Sequence, residues 1–295
     1  MRVTKISKKQ VRIEAPAKVN LFLEVLNKRE DGYHNINSLF QAVSLADLLE
    51  LEITEKPGIQ IDLTPPGVLP TDEQNLVTGA LRLVRDRFSV ASGLRVRLEK
   101  NIPIAAGLAG GSSDGAAAIL ACNVLFGLGL EVSEMAALGL ELGSDLPFFF
   151  SGGQALVRGR GELLEETDLP TDYWLAMVVP QVAISTRDSY ARLNLGLTTG
   201  RKAFSLDGCQ TVKELVTALR LTGNDFEKVQ ISSYPELGRI KEGLSEGGAM
   251  LARMSGSGST VFGIFAEEPS REQVRSLRRE GWQVYTVRPV FLGRQ

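Results

Sequence analysis

Residues 103–118 read PIAAGLAGGSSDGAAA, and this stretch decides the fold. Gly107, Gly110 and Gly111 stand before an Ala-rich apolar run, with Ser112 and Ser113 at the junction. Glycine lets the backbone turn through positive φ and approach a ligand closely. Residues Ser112 to Phe126 are expected to form a helix, apolar on most faces and therefore part of the core. The free N–H groups and positive dipole end of a helix start attract anions. The stretch is therefore read as a phosphate cradle. It is not a Walker loop, which needs a Lys after its second glycine, and its spacing is not the Rossmann fingerprint. A glycine-rich turn that only packs an Ala helix is the competing reading. Ser112 or Ser113 could cap the helix or ligate Mg2+ between phosphates.

Working outward, Leu94 to Leu98 (LRVRL) alternates like a half-buried strand and feeds the loop, giving strand, glycine loop, helix in that order. Strands are also expected at Val11–Ala15 and Val19–Leu26, separated by a break at Pro16-Ala17-Lys18. Others are expected at Leu48–Thr54, Ile59–Leu63, Gln154–Arg158, Tyr173–Val179, Ala249–Met254, Ser259–Phe265 and Gln283–Arg288. Helices are expected at Asn75–Phe88, from a Ser133 cap to Leu142, from a Ser185 or Thr186 cap through Asn194, and at Val212–Leu219, Asn224–Gln230, Pro235–Ser245 and Ser270–Glu280. Asn27–Asn35 and Asn194–Asp207 read as loops. Strands and helices without regular βα alternation indicate an α+β chain. Its 295 residues suit two domains, 1–164 and 165–295, with the acidic segment Glu165 to Asp172 as linker.

Composition excludes several classes. A net charge of -2 offers no general attraction to nucleic acid or membrane. Cys122 and Cys209 form no Cys-x-x-Cys pair and imply neither a zinc site nor a disulfide framework. The basic start leads into no apolar signal core, and no apolar run is long enough to span a bilayer. A cytoplasmic setting is the expectation. Oligomeric state, monomer or homodimer, is left open.

Four further features carry chemistry. Asp145, between Gly143-Ser144 and Leu146-Pro147, is either a turn-capping carboxylate or a group that takes the proton of a substrate hydroxyl. Lys18 is either a solvated lysine at a strand edge or a cation that stabilises a transferring phosphoryl group. Tyr33-His34, with the only histidine, is either a surface turn or a base-recognition loop. Ser255-Gly256-Ser257-Gly258 is either a hairpin connection or a second backbone clamp near phosphates.

Taken together, these motifs resemble the superfamily of galactokinase, homoserine kinase, mevalonate kinase and phosphomevalonate kinase. Pro103, Gly107-Leu108, Gly111 and Ser112-Ser113 stand at the places of its central motif, and Pro-Ala-Lys and SGSGST match in order. Within it, APAKVNLFLEV, DGYH, GLAGGSSDGAAA, GSDLPFFF and RGRGE resemble the 4-diphosphocytidyl-2-C-methyl-D-erythritol kinases. That resemblance implies a two-domain α+β kinase fold, with an N-terminal ATP-binding and catalytic domain and a ferredoxin-like, substrate-binding C-terminal domain. It implies ATP with Mg2+, and phosphorylation of the 2-hydroxyl of a cytidine diphosphate-linked polyol. Lys18 and Asp145 fall on the family's catalytic pair. Pro103, Ile104, Ala105, Ala106, Gly107, Leu108, Ala109, Gly110, Gly111, Ser112 and Ser113 fall on its phosphate loop, with Asn75 on the adenine side and Ser113 toward Mg2+. Asn20, Tyr33, His34, Tyr190 and Asp145 fall on the acceptor site. Two departures stand out: Ala109 in place of Gly, harmless if its φ is negative, and Gly115 in place of Ala, which signals close packing or is merely tolerated. A homoserine- or mevalonate-type kinase and a non-catalytic nucleotide sensor are the alternatives. DGYH speaks against the first, and the presence of both Lys18 and Asp145 against the second.

Overall fold

The glycine-rich stretch leaves the end of one strand in a seven-stranded sheet and turns into a helix packed on that sheet. The computed structural model describes residues 1–72, 74–193, 205–278 and 281–293. The sheet runs β1 (Arg2–Ser7), β2 (Gln10–Lys28), β3 (His34–Thr54), β5 (Gly93–Glu99), β4 (Ile59–Thr64). β6 (Gln154–Gly159) pairs with the first half of β3, and β7 (Leu163–Glu166) with β6. β3 thus splits: residues 36–41 meet β6 and residues 48–54 meet β5.

The expected break at Pro16-Ala17-Lys18 is a register shift inside one continuous strand, where the pairing jumps from Pro16↔Ala46 to Ala17↔Val43. Proline lacks the ladder N–H and is tolerated at such a bulge. The first half of β3 lies outside the expected strands. HNINSLFQAV shows no clean alternation, because its neighbours bury it on both faces.

Helix α1 (Leu76–Arg87) lies beside α2 (Gly110–Phe126), with α3 (Val132–Leu142) against both. α2 begins at Gly110, two residues before the expected Ser112. α3 is capped by Glu131, in a reciprocal capping box with Glu134, not by Ser133. Gly115 marks close packing: a methyl there would stand 3.0 Å from Leu146 Cδ2 and 3.4 Å from Leu76 Cβ.

The second sheet has the order β11 (Gln283–Val287), β8 (Trp174–Val179), β10 (Val261–Phe265), β9 (Leu251–Met254), all antiparallel. Its four strands, counted along the chain, stand 4-1-3-2, the ferredoxin-like arrangement that the resemblance implies. Between β8 and β9 run α4 (Thr186–Arg192), α5 (Val212–Leu219), α6 (Phe226–Ser233) and α7 (Pro235–Glu246); α8 (Arg275–Arg278) precedes β11. Ser185 caps α4 through its hydroxyl. Asn194, most of the loop expected over Asn194–Asp207, and residues 279–280 of the last expected helix lie outside the described residues. β7 carries the first sheet to Glu166, two residues past the expected division, so the linker begins later than Glu165.

The two halves are stitched directly. Leu23 N donates to Gly223 O at 2.9 Å, and Asp225 N to Leu23 O at 3.0 Å. Buried Arg253 on β9 donates to Leu21 O of β2 at 2.7 Å and to Leu219 O at 2.9 Å.

Candidate active site

Lys18 sits on β2, in the interior of the sheet, and only 4% of it is exposed. The solvated-lysine reading fails on that burial. Lys18 and Asn20 are two apart, so they share a face of the strand. Lys18 Nζ donates to Asn20 Oδ1 at 2.6 Å, lies 3.6 Å from Asp145 Oδ2, and stands 4.2 Å over the Phe40 ring. Burial pushes the Lys18 ammonium below its ordinary value, and the Asp145 carboxylate pulls it back up. Asp145 precedes the 3-10 turn Pro147–Phe150, whose phenylalanines pack against the core. Its own side chain is 35% exposed and faces a cleft. A buried cation and a half-exposed carboxylate thus share one opening. That arrangement can hold a hydroxyl, accept its proton and offset the charge of an incoming phosphoryl group.

The cleft has a volume of about 1130 Å³. Every residue from Pro103 to Ser112 lines it, while Ser113 and Asn75 do not. Ser113 Oγ is fully buried and has no hydrogen-bond partner among the described residues. Asn75 instead caps α1: its Oδ1 accepts from Val77 N at 2.9 Å and its Nδ2 donates to Pro70 O at 2.8 Å. Ala109, the N-cap of α2, lies in the left-handed region at φ 53°, ψ 30° and offers no side-chain cap. The negative φ that would make it harmless is not found; a left-handed alanine costs roughly 1–2 kcal/mol. Without a cap, the first N–H groups of α2 remain available to an anion.

The loop is held from both sides. Lys18 N donates to Leu108 O at 3.1 Å. Gly107 adopts φ +76°, and a methyl on it would lie 2.2 Å from Ser255 O. Ser255 Oγ accepts from Asn20 N at 3.1 Å and donates to Gly107 O at 2.9 Å. This one hydroxyl joins the lysine strand, the glycine loop and the SGSG turn. Gly256 to Gly258 line the same cleft, as the second-clamp reading requires.

Tyr33, His34 and Tyr190 also line the cleft, with Asn20. The His34 and Tyr190 rings stack on each other, 4.7 Å between centroids and 17° between planes. A base needs about 3.5 Å on each side, so it does not fit between these two rings as they stand. Tyr33 is 54% exposed, with the Arg160 guanidinium 5.2 Å from its ring centre. Burial and nearby Lys28 lower the pKa of His34, and burial with Asp145 pushes Tyr190 up to about 12; both rings are neutral near pH 7.

Several groups escaped the sequence reading. Lys100, at the end of β5, donates to Asp114 Oδ2 at 2.6 Å and to Asp47 Oδ2. Burial opposes its charge, but Asp114 and Asp47 raise its pKa overall. It lines the cleft beneath Gly110, so the loop does have a nearby lysine, supplied from before the motif. Asn224 holds the SGSG turn, donating to Met254 O and Gly256 O, each at 2.8 Å. Lone residues of this kind leave no spacing signal. Among the described residues, no cluster of three His, Cys, Asp or Glu could hold a metal, and no helix is long and apolar enough to cross a membrane.

Two family models, curated relatives and solved structures match the chain. Residues 75–153 match the family described as GHMP kinases N terminal domain, and residues 206–281 match GHMP kinases C terminal. A 4-diphosphocytidyl-2-C-methyl-D-erythritol kinase of Shouchella clausii is 41% identical over 94% of this chain and 93% of its own. One of Bacillus cereus (strain B4264) is 39% identical, covering 94% and 96%. A crystal structure of 4-(cytidine 5'-diphospho)-2C-methyl-D-erythritol kinase superposes with TM-score 0.78 at 31% identity, covering 94% of this chain and 98% of that one. A homoserine kinase from Cytophaga hutchinsonii shares the fold, with TM-score 0.73 at 19% identity over 100% of this chain and 98% of its own.

Proposed function

The chain belongs to the 4-diphosphocytidyl-2-C-methyl-D-erythritol kinases of the GHMP kinase family, and on that premise we propose how its own residues divide the work. It is an ATP-dependent phosphotransferase that phosphorylates 4-diphosphocytidyl-2-C-methyl-D-erythritol in the non-mevalonate isoprenoid pathway. The reacting group is the 2-hydroxyl. Asp145 orients that hydroxyl and takes its proton as the new P–O bond forms and the bond to ADP breaks. Lys18, fixed by Asn20, offsets the charge that develops on the transferring group. The observation that carries this assignment is the 3.6 Å approach of Lys18 Nζ to Asp145 Oδ2 in the wall of the cleft.

The triphosphate lies over the loop from Pro103 to Ser112, on the open N–H groups of α2. Mg2+ fits this donor set only as a companion of the phosphates, since hydroxyls and a single carboxylate line the cleft. The ion neutralises phosphate charge when bound. Ser112 would be the hydroxyl offered to it; the buried Ser113 is not the better candidate. Tyr33, with more than half its surface free, and the His34–Tyr190 pair take the cytosine. Acceptor binding is thus shared between the halves of the chain, Tyr33 and His34 coming from residues 1–164 and Tyr190 from residues 165–295.

Asp145→Asn tests the assignment. Turnover should fall by a factor of about 10²–10⁴, with ATP binding retained. A variant that folds, binds ATP and keeps most of its turnover would show that Asp145 is not the proton acceptor.

A further inference from the structure

Charge along the cleft is lopsided. Lys18, Lys28, Lys100, Arg160 and Arg187 line it, against the single carboxylate of Asp145. Lys100 is matched by Asp47 and Asp114, and Lys18 by Asp145. Asp31, which accepts from Tyr33 N at 3.1 Å, is paired with Arg29 at 2.9 Å. Arg160 and Arg187 line the cleft with no salt bridge among the described residues, although the charge of Arg160 is felt by the Asp31 carboxylate.

The position of Arg160 carries the argument. It stands in the turn between β6 and β7, where its N–H donates to Glu162 Oε2 at 2.6 Å. A methyl on the next residue, Gly161, would lie 3.6 Å from Asp145 Oδ1. At its other end, the Arg160 guanidinium lies 5.2 Å from the centre of the Tyr33 ring. The residue therefore stands between the two: its chain neighbour Gly161 lies beside the proton-accepting carboxylate, and its guanidinium lies at the base-recognising ring. In the acceptor the cytidine and the polyol are joined by a diphosphate. With the hydroxyl at Asp145 and the base at Tyr33, a reading this inference rests on, the diphosphate has to cross that interval.

We infer that Arg160 binds the diphosphate of the acceptor, with Arg187 as a second arm, and so selects for a nucleoside diphosphate conjugate over a simple alcohol. A guanidinium suits a diphosphate because it is planar, always charged and able to donate two hydrogen bonds to one phosphate. Arg187 is one helical turn before Tyr190, so both sit on the same face of α4. The competing view is that Arg160 only props Tyr33. A prop would change affinity for every cytosine ligand alike, whereas a diphosphate contact changes it only for ligands that carry phosphate.

The experiment compares cytidine with CDP by calorimetry on the full chain, with the phosphate loop filled by a non-hydrolysable ATP analogue. The native protein should prefer CDP by about tenfold or more, and the preference should shrink as salt is added. Arg160→Ala should reduce the preference by about tenfold, Arg160→Lys by less, and Arg187→Ala by a smaller factor still. A preference unchanged in Arg160→Ala overturns the inference, as does one insensitive to salt in the native protein. If the native protein binds neither cytidine nor CDP, the reading of the acceptor falls first, and this inference with it.

Discussion

Two glycines in the phosphate loop, Gly107 and Gly111, should respond to alanine in opposite ways. At Gly107 the backbone holds φ +76°, and the new methyl would lie 2.2 Å from Ser255 O and 3.1 Å from Gly258 O. The left-handed alanine alone costs roughly 1–2 kcal/mol. The obstacle is a backbone carbonyl, so no rotamer change relieves it. The SGSG turn would have to retreat by roughly 1 Å to restore a van der Waals contact. That retreat breaks the hydrogen bond from Ser255 Oγ to Gly107 O, worth about 1 kcal/mol. Gly107→Ala should therefore lose about 2–4 kcal/mol and, at about 2–4 °C per kcal/mol, lower Tm by roughly 5–15 °C. Gly111 is inside the first turn of α2, and a methyl there meets only Leu76 Cδ1, at 3.7 Å. Gly111→Ala should be neutral or gain up to about 1 kcal/mol of helix propensity. Because Gly111 also lines the cleft, its methyl should raise the KM for ATP. Thermal unfolding and steady-state kinetics on both variants decide the matter. Equal stability losses in the two, or a Gly107→Ala protein indistinguishable from the parent, would refute the claim that the loop is pinned by the SGSG turn.

Other expectations follow from single groups. Lys18 has its pKa lowered by burial, so between that value and 10.5 the unfolded chain retains a proton that the folded chain has released. Its contribution to stability therefore rises with pH across that window, while turnover falls as the cation is lost. An alkaline limb of kcat at or above 10.5 would contradict this, and Asp145→Asn should lower the Lys18 value further. Asn224→Ala leaves Met254 O and Gly256 O without their amide donor and should cost about 1–3 kcal/mol. It should raise the KM for ATP, as should Asn224→Asp, which keeps the acceptor for Phe226 N but cannot donate to either carbonyl; a KM unchanged in both would count against this role. Cys122 is buried, with its pKa pushed up to about 12 by that burial, whereas Cys209 is half-buried in a loop. A thiol reagent should modify Cys209 in the native protein and Cys122 only after unfolding, and equal native rates at both would contradict the packing of α2.

The parts of the site that can be read from sequence are those whose chemistry is local. Gly107, Gly110 and Gly111 announce a turn and a close backbone approach wherever they stand, and the Ala run after them announces a tightly packed helix. The remainder depends on contacts between distant segments. Pro16 reads as the end of a strand because proline ends most ladders, but a register shift absorbs it and keeps Lys18 inside the sheet. Ala109 gives no hint in its side chain that its backbone is left-handed; the geometry of the turn imposes that. Tyr33, His34 and Tyr190 all line the cleft, in the one place the resemblance implies, but only the fold shows His34 against Tyr190 and Arg160 against Tyr33. The same holds for charge. The loop lacks the lysine of a Walker motif, and Asp114 stands after its serines. In the fold Asp114 is matched by Lys100, which arrives from β5, while Lys18 reaches the cleft from β2. A Walker loop carries its cation within the motif, so its position is set by local backbone geometry. Here each cation is placed by the sheet, and Lys18 is tied to the loop through Leu108 O and through the Asn20–Ser255–Gly107 chain. A change at Ser255 should therefore disturb the lysine and the phosphate loop together, although it is more than two hundred residues from one of them.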